Sequence, residues 1–249
     1  MGLGKKLSWS LAQRGWTGTA RAAVSAMSRL TRRPGREAVV HPFDERMGVE
    51  TSGLISGGEL ATGHAHDRYV TAYAAIAPSR FAEAIERWSE LTGNKQLEEW
   101  AFVDLGCGKG RALLLASERA FREVAGVELN PRLAQAAMQN VQRWVSAGRA
   151  RSPVRVVEGD VLSLELPDAP TMLFLYNSFA GPLVRKIAEQ ISVHVRERGG
   201  PVDVIYQNAE WGAELTACGW REVWRGRLAL SSEDAAVDPV ASAEDVTAI

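Results

Sequence analysis

From Ala101 onward the sequence alternates short apolar runs with longer amphipathic stretches, and no other feature constrains the fold as much. Strands are expected at 101–105, 123–129, 154–158, 171–177 and 202–207, with helices at 111–120, 131–147 and 182–196 between them. A further helix over about 78–92 precedes this series, with Pro78 in its first turn and Phe81, Ala82, Ile85 and Trp88 on one face. Strands that are apolar along their whole length belong in a sheet covered on both sides. The expected architecture is therefore α/β: a doubly wound, mostly parallel sheet with helices on both faces. Residues 220–224 and 227–230, around Arg225-Gly226, are expected to add a terminal antiparallel strand pair.

The flanks differ from this body in charge. The 249 residues carry 29 basic and 30 acidic side chains, a net charge of −1, yet residues 1–36 contain basic residues and no acid, and after Arg227 only acids occur. We expect a basic arm at 1–36, a lid or helical extension at 37–100, a core at 101–231 and a disordered acidic tail at 232–249. Within the arm, Ala20, Ala23, Val24, Met27 and Leu30 recur at helical spacing with the arginines largely opposite. Such an arm suits a solvated extension, a transit peptide or weak contact with an anionic membrane. The core lacks a basic stripe, so no nucleic acid partner is expected. No apolar run is long enough to span a bilayer. Two cysteines, Cys107 and Cys218, cannot build a disulfide framework. A reducing, cytoplasmic setting is expected.

The chemistry is concentrated where the first strand meets its helix, in Phe102-Val103-Asp104-Leu105-Gly106-Cys107-Gly108-Lys109-Gly110. Open α/β sheets bind ligands at the carboxyl ends of their strands, and glycines there let backbone approach a ligand closely. The spacing is G-x-G-x-G, not the dinucleotide G-x-G-x-x-G, and Lys109 is followed by glycine rather than Ser or Thr. Asp104 would repel a pyrophosphate but suits a ligand carrying an ammonium and a sulfonium, such as S-adenosylmethionine. Two further acids stand at strand tips: Glu128 in Gly126-Val127-Glu128-Leu129-Asn130, and Asp160 in Glu158-Gly159-Asp160-Val161. Glu128 is placed to reach ribose hydroxyls, and Asp160 to accept from an adenine amino group.

These motifs over residues 101–210 resemble class I S-adenosylmethionine-dependent methyltransferases. The resemblance implies a Rossmann-like, seven-stranded sheet and S-adenosyl-L-methionine as cofactor. It also implies that Asp104, Gly106 and Gly108 hold the methionine part, Glu128 the ribose and Asp160 the adenine, with Cys107, Gly110, Val161 and Tyr73 beside them. The wider pattern is similar to a poorly characterised bacterial group in which F-D-x-x-x-G-V-x-T-x-G-x-I precedes the core, here Phe43-Asp44 through Gly48-Val49, Thr51, Gly53 and Ile55. Of a following aromatic and proline-rich segment only Tyr73 and Pro78 remain.

The fourth strand ends Tyr176-Asn177-Ser178-Phe179, where amino-methylating relatives carry N-P-P-Y or N-P-F. The resemblance gives Asn177 the role of orienting a target nitrogen, with Tyr176 and Phe179 packing around it. A similar Asn-Asn-Phe occurs in non-SET protein lysine methyltransferases. The implied reaction is methyl transfer to an amine, a protein lysine being one acceptor. A small-molecule O- or N-methyltransferase and a non-catalytic cofactor-binding module are the alternatives. His64 and His66 have metal-ligand spacing with Asp67, but three donors crowded into one loop with no distant partner read as a solvated turn, and no metal is expected.

Overall fold

The structure is a computed structural model that describes residues 40–93, 95–237 and 246–249. The basic arm, with its expected helix and membrane contact, lies outside the described residues, as do 238–245. In chain order the elements are α1 (Pro42–Met47), β1 (Leu54–Ile55), β2 (Tyr73–Ala74), α2 (Pro78–Thr92), β3 (Ala101–Leu105), α3 (Arg111–Ser117), β4 (Glu123–Glu128), α4 (Pro131–Ser146) and β5 (Val154–Glu158). They continue with β6 (Thr171–Tyr176), α5 (Gly181–Arg198), β7 (Val202–Gln207), α6 (Gly212–Ala217), β8 (Arg225–Gly226), α7 (Ser232–Val237) and β9 (Thr247–Ala248). Among the described residues no helix is long and apolar enough to cross a membrane.

One seven-stranded sheet runs in the order β5-β4-β3-β6-β7-β9-β8. The first five of these strands are parallel, and β9 lies antiparallel between β7 and β8. A separate antiparallel ribbon joins β1 to β2. The sheet is thus the expected doubly wound, mostly parallel one. The order reverses beside β3, which sends its neighbours' crossovers to opposite faces and opens a crevice at its carboxyl end.

Period-two alternation divides the core into two layers. Phe102, Val124, Met172, Phe174 and Ile205 face α2 and α3, meeting Phe81, Ile85, Trp88 and Leu113. Val103, Leu105, Val127, Leu173, Leu175 and Tyr206 face α5, meeting Leu183, Val184, Ile187 and Ile191. In the first layer Phe81, Phe102 and Phe174 form a mutual aromatic triangle with centroids 5.5–5.8 Å apart. Helix α2 therefore packs directly on the sheet, although it falls in the stretch read as an extension outside the core. Its Trp88 indole donates to Asp203 at 2.9 Å.

Local chemistry sets the helix ends. Asn130 caps α4 by accepting from the N–H groups of Arg132 and Leu133, with Pro131 at the first helical position. Helix α1 begins on the His41 side chain and stops at Gly48, whose φ of 67° places it in the left-handed region.

The C-terminal region differs from expectation in two ways. Residues 220–224 and 227–230 form no hairpin; the strand is Arg225–Gly226 itself, and its partner is Thr247–Ala248. Large side chains decide this. The Trp220 indole turns onto α5, donating to Ser192 Oγ at 3.1 Å, and Leu228 is buried against the first core layer. The backbone N–H groups of Val223 and Trp224 instead reach the carbonyl of Ile249. The stretch expected to be a disordered tail thus supplies both α7 and a strand of the sheet.

Candidate functional site

A cleft opens where β3, β4 and β6 end, lined by Asp104, Gly106, Cys107, Gly108, Glu128, Tyr176, Ser178 and Phe179 and covered by residues 70–76. Its floor is the glycine loop. Gly106 and Gly108 have φ of 79° and 56°, which side-chain-bearing residues adopt only with strain. The N–H groups of Gly106 and Cys107 both donate to the Val127 carbonyl, tying the loop to β4. A Cβ on Gly106 would meet Ser178 Cβ at 2.7 Å, and one on Gly108 would meet the Tyr73 ring at 2.2 Å. Gly110 lies outside the cleft lining and instead starts α3 against Ala137 of α4.

Two carboxylates face this cleft. Glu128 is buried, which pushes its pKa up; the N–H groups of Gly108 at 2.8 Å and Asn130 at 2.9 Å partly offset this. Asp104 is buried too, and among the described residues no hydrogen bond or ion pair reaches its carboxylate. Burial, reinforced by the charge of Glu128, raises its pKa well above the usual carboxylate range. Burial also raises the Cys107 thiol, making it a small packing residue rather than a reactive thiolate. A buried carboxylate without a partner beside a second one is electrostatically incomplete. It suits a cationic ligand, and the close-packed glycines leave backbone for that ligand to lie against.

The cover is Tyr73 and its neighbours. Tyr73 is buried, lies on Gly108 and donates its hydroxyl to the Thr51 carbonyl. The enclosed volume is about 70 Å³, below the roughly 300 Å³ at which small-molecule sites begin. Residues 51–76, which carry this cover, form a strap over the glycine loop. Gly108→Ala should lower affinity for S-adenosylhomocysteine about tenfold or more, because the new methyl displaces Tyr73 and strains the loop. In a Tyr73→Ala background the same change should cost distinctly less, a coupling that calorimetric titration of the four proteins measures. Equal costs in both backgrounds would show that Tyr73 does not rest there in solution.

The strap is anchored on the helix that follows the glycine loop. Asp44, buried in α1, accepts from Thr51 N at 2.7 Å and Ser52 N at 2.6 Å, and also from the Thr51 hydroxyl. Arg111, in the first turn of α3, donates to Thr51 Oγ1 at 2.6 Å and Ile76 O at 3.2 Å and pairs with Asp44 at 3.3 Å. Lys109 Nζ donates to the Ser52 carbonyl at 2.7 Å. The F-D-x-x-x-G-V-x-T segment thus docks the strap onto α3.

Asp160 and Val161 stand apart from the cleft lining. The Asp160 carboxylate takes the N–H of Leu162 at 3.2 Å and faces His66 Nδ1 at 3.0 Å. Val161 packs toward α5 in the second core layer. At the end of β6, Tyr176, Ser178 and Phe179 line the cleft, whereas Asn177, at φ 45°, stands beside the lining rather than in it. Its Nδ2 donates to Glu210 at 3.3 Å, the Tyr206 hydroxyl reaches its Oδ1 at 3.5 Å, and its carbonyl accepts from Thr71 Oγ1. Reading the sequence missed Glu210 and Thr71. Neither belongs to a local motif, and only tertiary pairing marks them.

Residues 102–199 match a family model described as a methyltransferase domain. No curated protein matches the sequence. Among solved structures, an RNA methyltransferase from Salinibacter ruber in complex with S-adenosyl-L-homocysteine is 18% identical, with a TM-score of 0.41, over 66% of this chain and 86% of its own. Magnesium protoporphyrin IX methyltransferase from Synechocystis PCC 6803 with bound S-adenosylmethionine is 12% identical, with a TM-score of 0.45, over 61% of this chain and 74% of its own. A methyltransferase dependent on S-adenosylmethionine from Aquifex aeolicus is 13% identical, with a TM-score of 0.45, over 70% of this chain and 97% of its own. Likenesses of this size transfer no acceptor. Residues 102–199 thus match a methyltransferase domain, and their strand order and glycine loop with its two acids are similar to those of class I S-adenosylmethionine-dependent methyltransferases.

Proposed function

We propose that this S-adenosylmethionine-dependent methyltransferase alkylates an amine nitrogen. The observation that carries the reading is the contact of Asn177 with Glu210 beside Tyr206 at the ends of β6 and β7. The Asn177 amide oxygen and the Glu210 carboxylate form a set of acceptors suited to an alkylammonium group. In this reading Asp104 neutralises the cationic end of the cofactor, the Gly106-Cys107-Gly108 backbone lies along its methionine part and Glu128 accepts from the ribose. Asp160 would reach the adenine amino group with whatever capacity His66 leaves it.

S-adenosylmethionine, when bound, supplies an electrophilic methyl carbon on a positively charged sulfur. The chain must then deliver an uncharged nitrogen in line with it. Glu210 accepts the proton that an ammonium must lose, and Asn177 Oδ1 orients the remaining N–H so that the lone pair faces the cleft. Ser178 and Phe179, packed over Gly106, keep water from the line of attack. A lysine side chain reaching past Glu210 fits this arrangement. The tight cover of the strap also suits a small-molecule acceptor, the second reading.

The test is methyl transfer from labelled cofactor to a panel of amines, lysine peptides and phenols. Asn177→Ala should lower kcat about a hundredfold with S-adenosylhomocysteine affinity little changed, since the interaction is strongest as nitrogen gains positive charge. Glu210→Gln should raise KM for amines, because the carboxylate that meets the alkylammonium loses its charge. Phenol acceptors methylated in preference to amines, with both variants at the wild-type rate, would overturn the amine reading.

A further inference from the structure

We propose that His64, His66 and Asp160 form a binding site for a divalent transition-metal ion of the zinc class, at the rim of the cleft. The ligand atoms of the three side chains lie within 4.8 Å of one another. His66 Nδ1 is 3.0 and 3.2 Å from the two Asp160 oxygens, and the His64 ring stands nearly edge-on to that of His66, with centroids 5.1 Å apart. The histidines come from the strap and Asp160 from the tip of β5, so the distant donor that the His64-x-His66 pattern lacked in sequence is supplied by the fold.

Asp67, the third ligand that spacing suggested, is engaged elsewhere. Its carboxylate accepts from Thr62 N and Gly63 N, both at 2.7 Å, and from Thr62 Oγ1 at 3.0 Å. Those bonds, with the Asp67 N–H on the His64 carbonyl, set the shape of the loop that presents both imidazoles. His64 Nδ1 accepts the His66 backbone N–H at 3.2 Å, which orients its ring. Asp160 is itself held by the Leu162 N–H. Ligands positioned by such outer bonds are what a metal site needs. A His66–Asp160 hydrogen bond alone would not bring His64 alongside.

Two imidazoles and one carboxylate suit Zn²⁺, Co²⁺ or Ni²⁺, while Ca²⁺ and Mg²⁺ prefer sets of oxygen ligands. Three protein ligands leave a position for water. The bound ion would fasten the strap to the sheet edge next to the cofactor cleft, and the site is independent of which acceptor is methylated.

The test is titration of the full-length, metal-stripped protein with Zn²⁺ by calorimetry and with Co²⁺ by visible absorption. We expect one equivalent per chain, a ligand-field spectrum of nitrogen and oxygen ligation, and a higher melting temperature in Zn²⁺. His64→Ala, His66→Ala and Asp160→Asn should each weaken binding by about tenfold or more, and Cys218→Ser should leave it unchanged. His64 is exposed, so its variant stays folded and keeps the test clean. No saturable binding by the wild type, thiolate ligation in the Co²⁺ spectrum, or affinity that survives all three substitutions would overturn the proposal.

Discussion

Arg111→Ala is expected to lower the stability of the protein by about 3–5 kcal/mol, because it strands a buried carboxylate. The Arg111 guanidinium is 3% exposed and bridges four groups of the strap: Asp44, Thr51, Ser52 and the Ile76 carbonyl. Its loss leaves Asp44, also 3% exposed, with hydrogen bonds but no countercharge. Lysine cannot substitute, since one ammonium cannot fork to four acceptors. Urea denaturation of the two single variants and of Asp44→Ala/Arg111→Ala together checks this. The double variant should be less damaged than the two single costs summed.

The pH dependence has a definite sign. Burial pushes the Asp44 pKa up, but the Thr51 and Ser52 hydrogen bonds and the Arg111 charge outweigh it and hold it below the usual value. Asp44 therefore contributes stability above its unfolded pKa of about 4, and that stability is lost as pH falls through the lower folded value. Without Arg111 the acid limb should begin at higher pH. Arg111→Ala with wild-type stability and an unmoved acid limb would mean that the strap is not docked as described.

Asp104→Asn should have two opposite consequences: weaker cofactor binding and a more stable ligand-free protein. Binding should fall by about 1–3 kcal/mol, the worth of a charge-assisted contact. The stability gain follows from the raised pKa, caused first by burial and then by Glu128. Between the unfolded value of about 4 and the higher folded value, the folded state holds a proton that the unfolded state has released. Stability therefore declines as pH rises through that window, and asparagine removes the decline. Melting temperatures across pH, with and without S-adenosylhomocysteine, compare the two proteins. An asparagine variant no more stable than wild type at neutral pH, or equal in affinity, would mean that Asp104 already has a cationic partner in solution.

Much of this was legible because the informative signals are local. The strands at 101–105, 154–158 and 202–207 have the expected bounds, since short runs rich in β-branched and apolar residues between turn residues admit few other readings. That the glycine loop, Asp104 and Glu128 share one cleft was legible for a similar reason: they stand at the ends of neighbouring strands whose bounds the sequence marks. Strands of two residues, such as Leu54–Ile55 and Thr247–Ala248, are too short to show a period, and their pairing depends on what lies opposite. The same holds for His66 with Asp160, 94 residues apart, and for Asn177 with Glu210, 33 apart. Nothing in the local sequence names these partners until the fold sets them side by side.

The placement of β9 bears on how the chain can assemble as it is synthesised. Strands β3 to β7 emerge in an order that lets each find a neighbour already made, with β6 pairing back on β3. Strand β8 emerges next and has no place to pair, because the strand that sits between it and β7 comes only at Thr247–Ala248. Until then β7 presents a bare edge of backbone donors and acceptors, a template for pairing with another nascent chain. Variants that disrupt the Thr247–Ala248 strand would hold the protein in that exposed state and should favour aggregation.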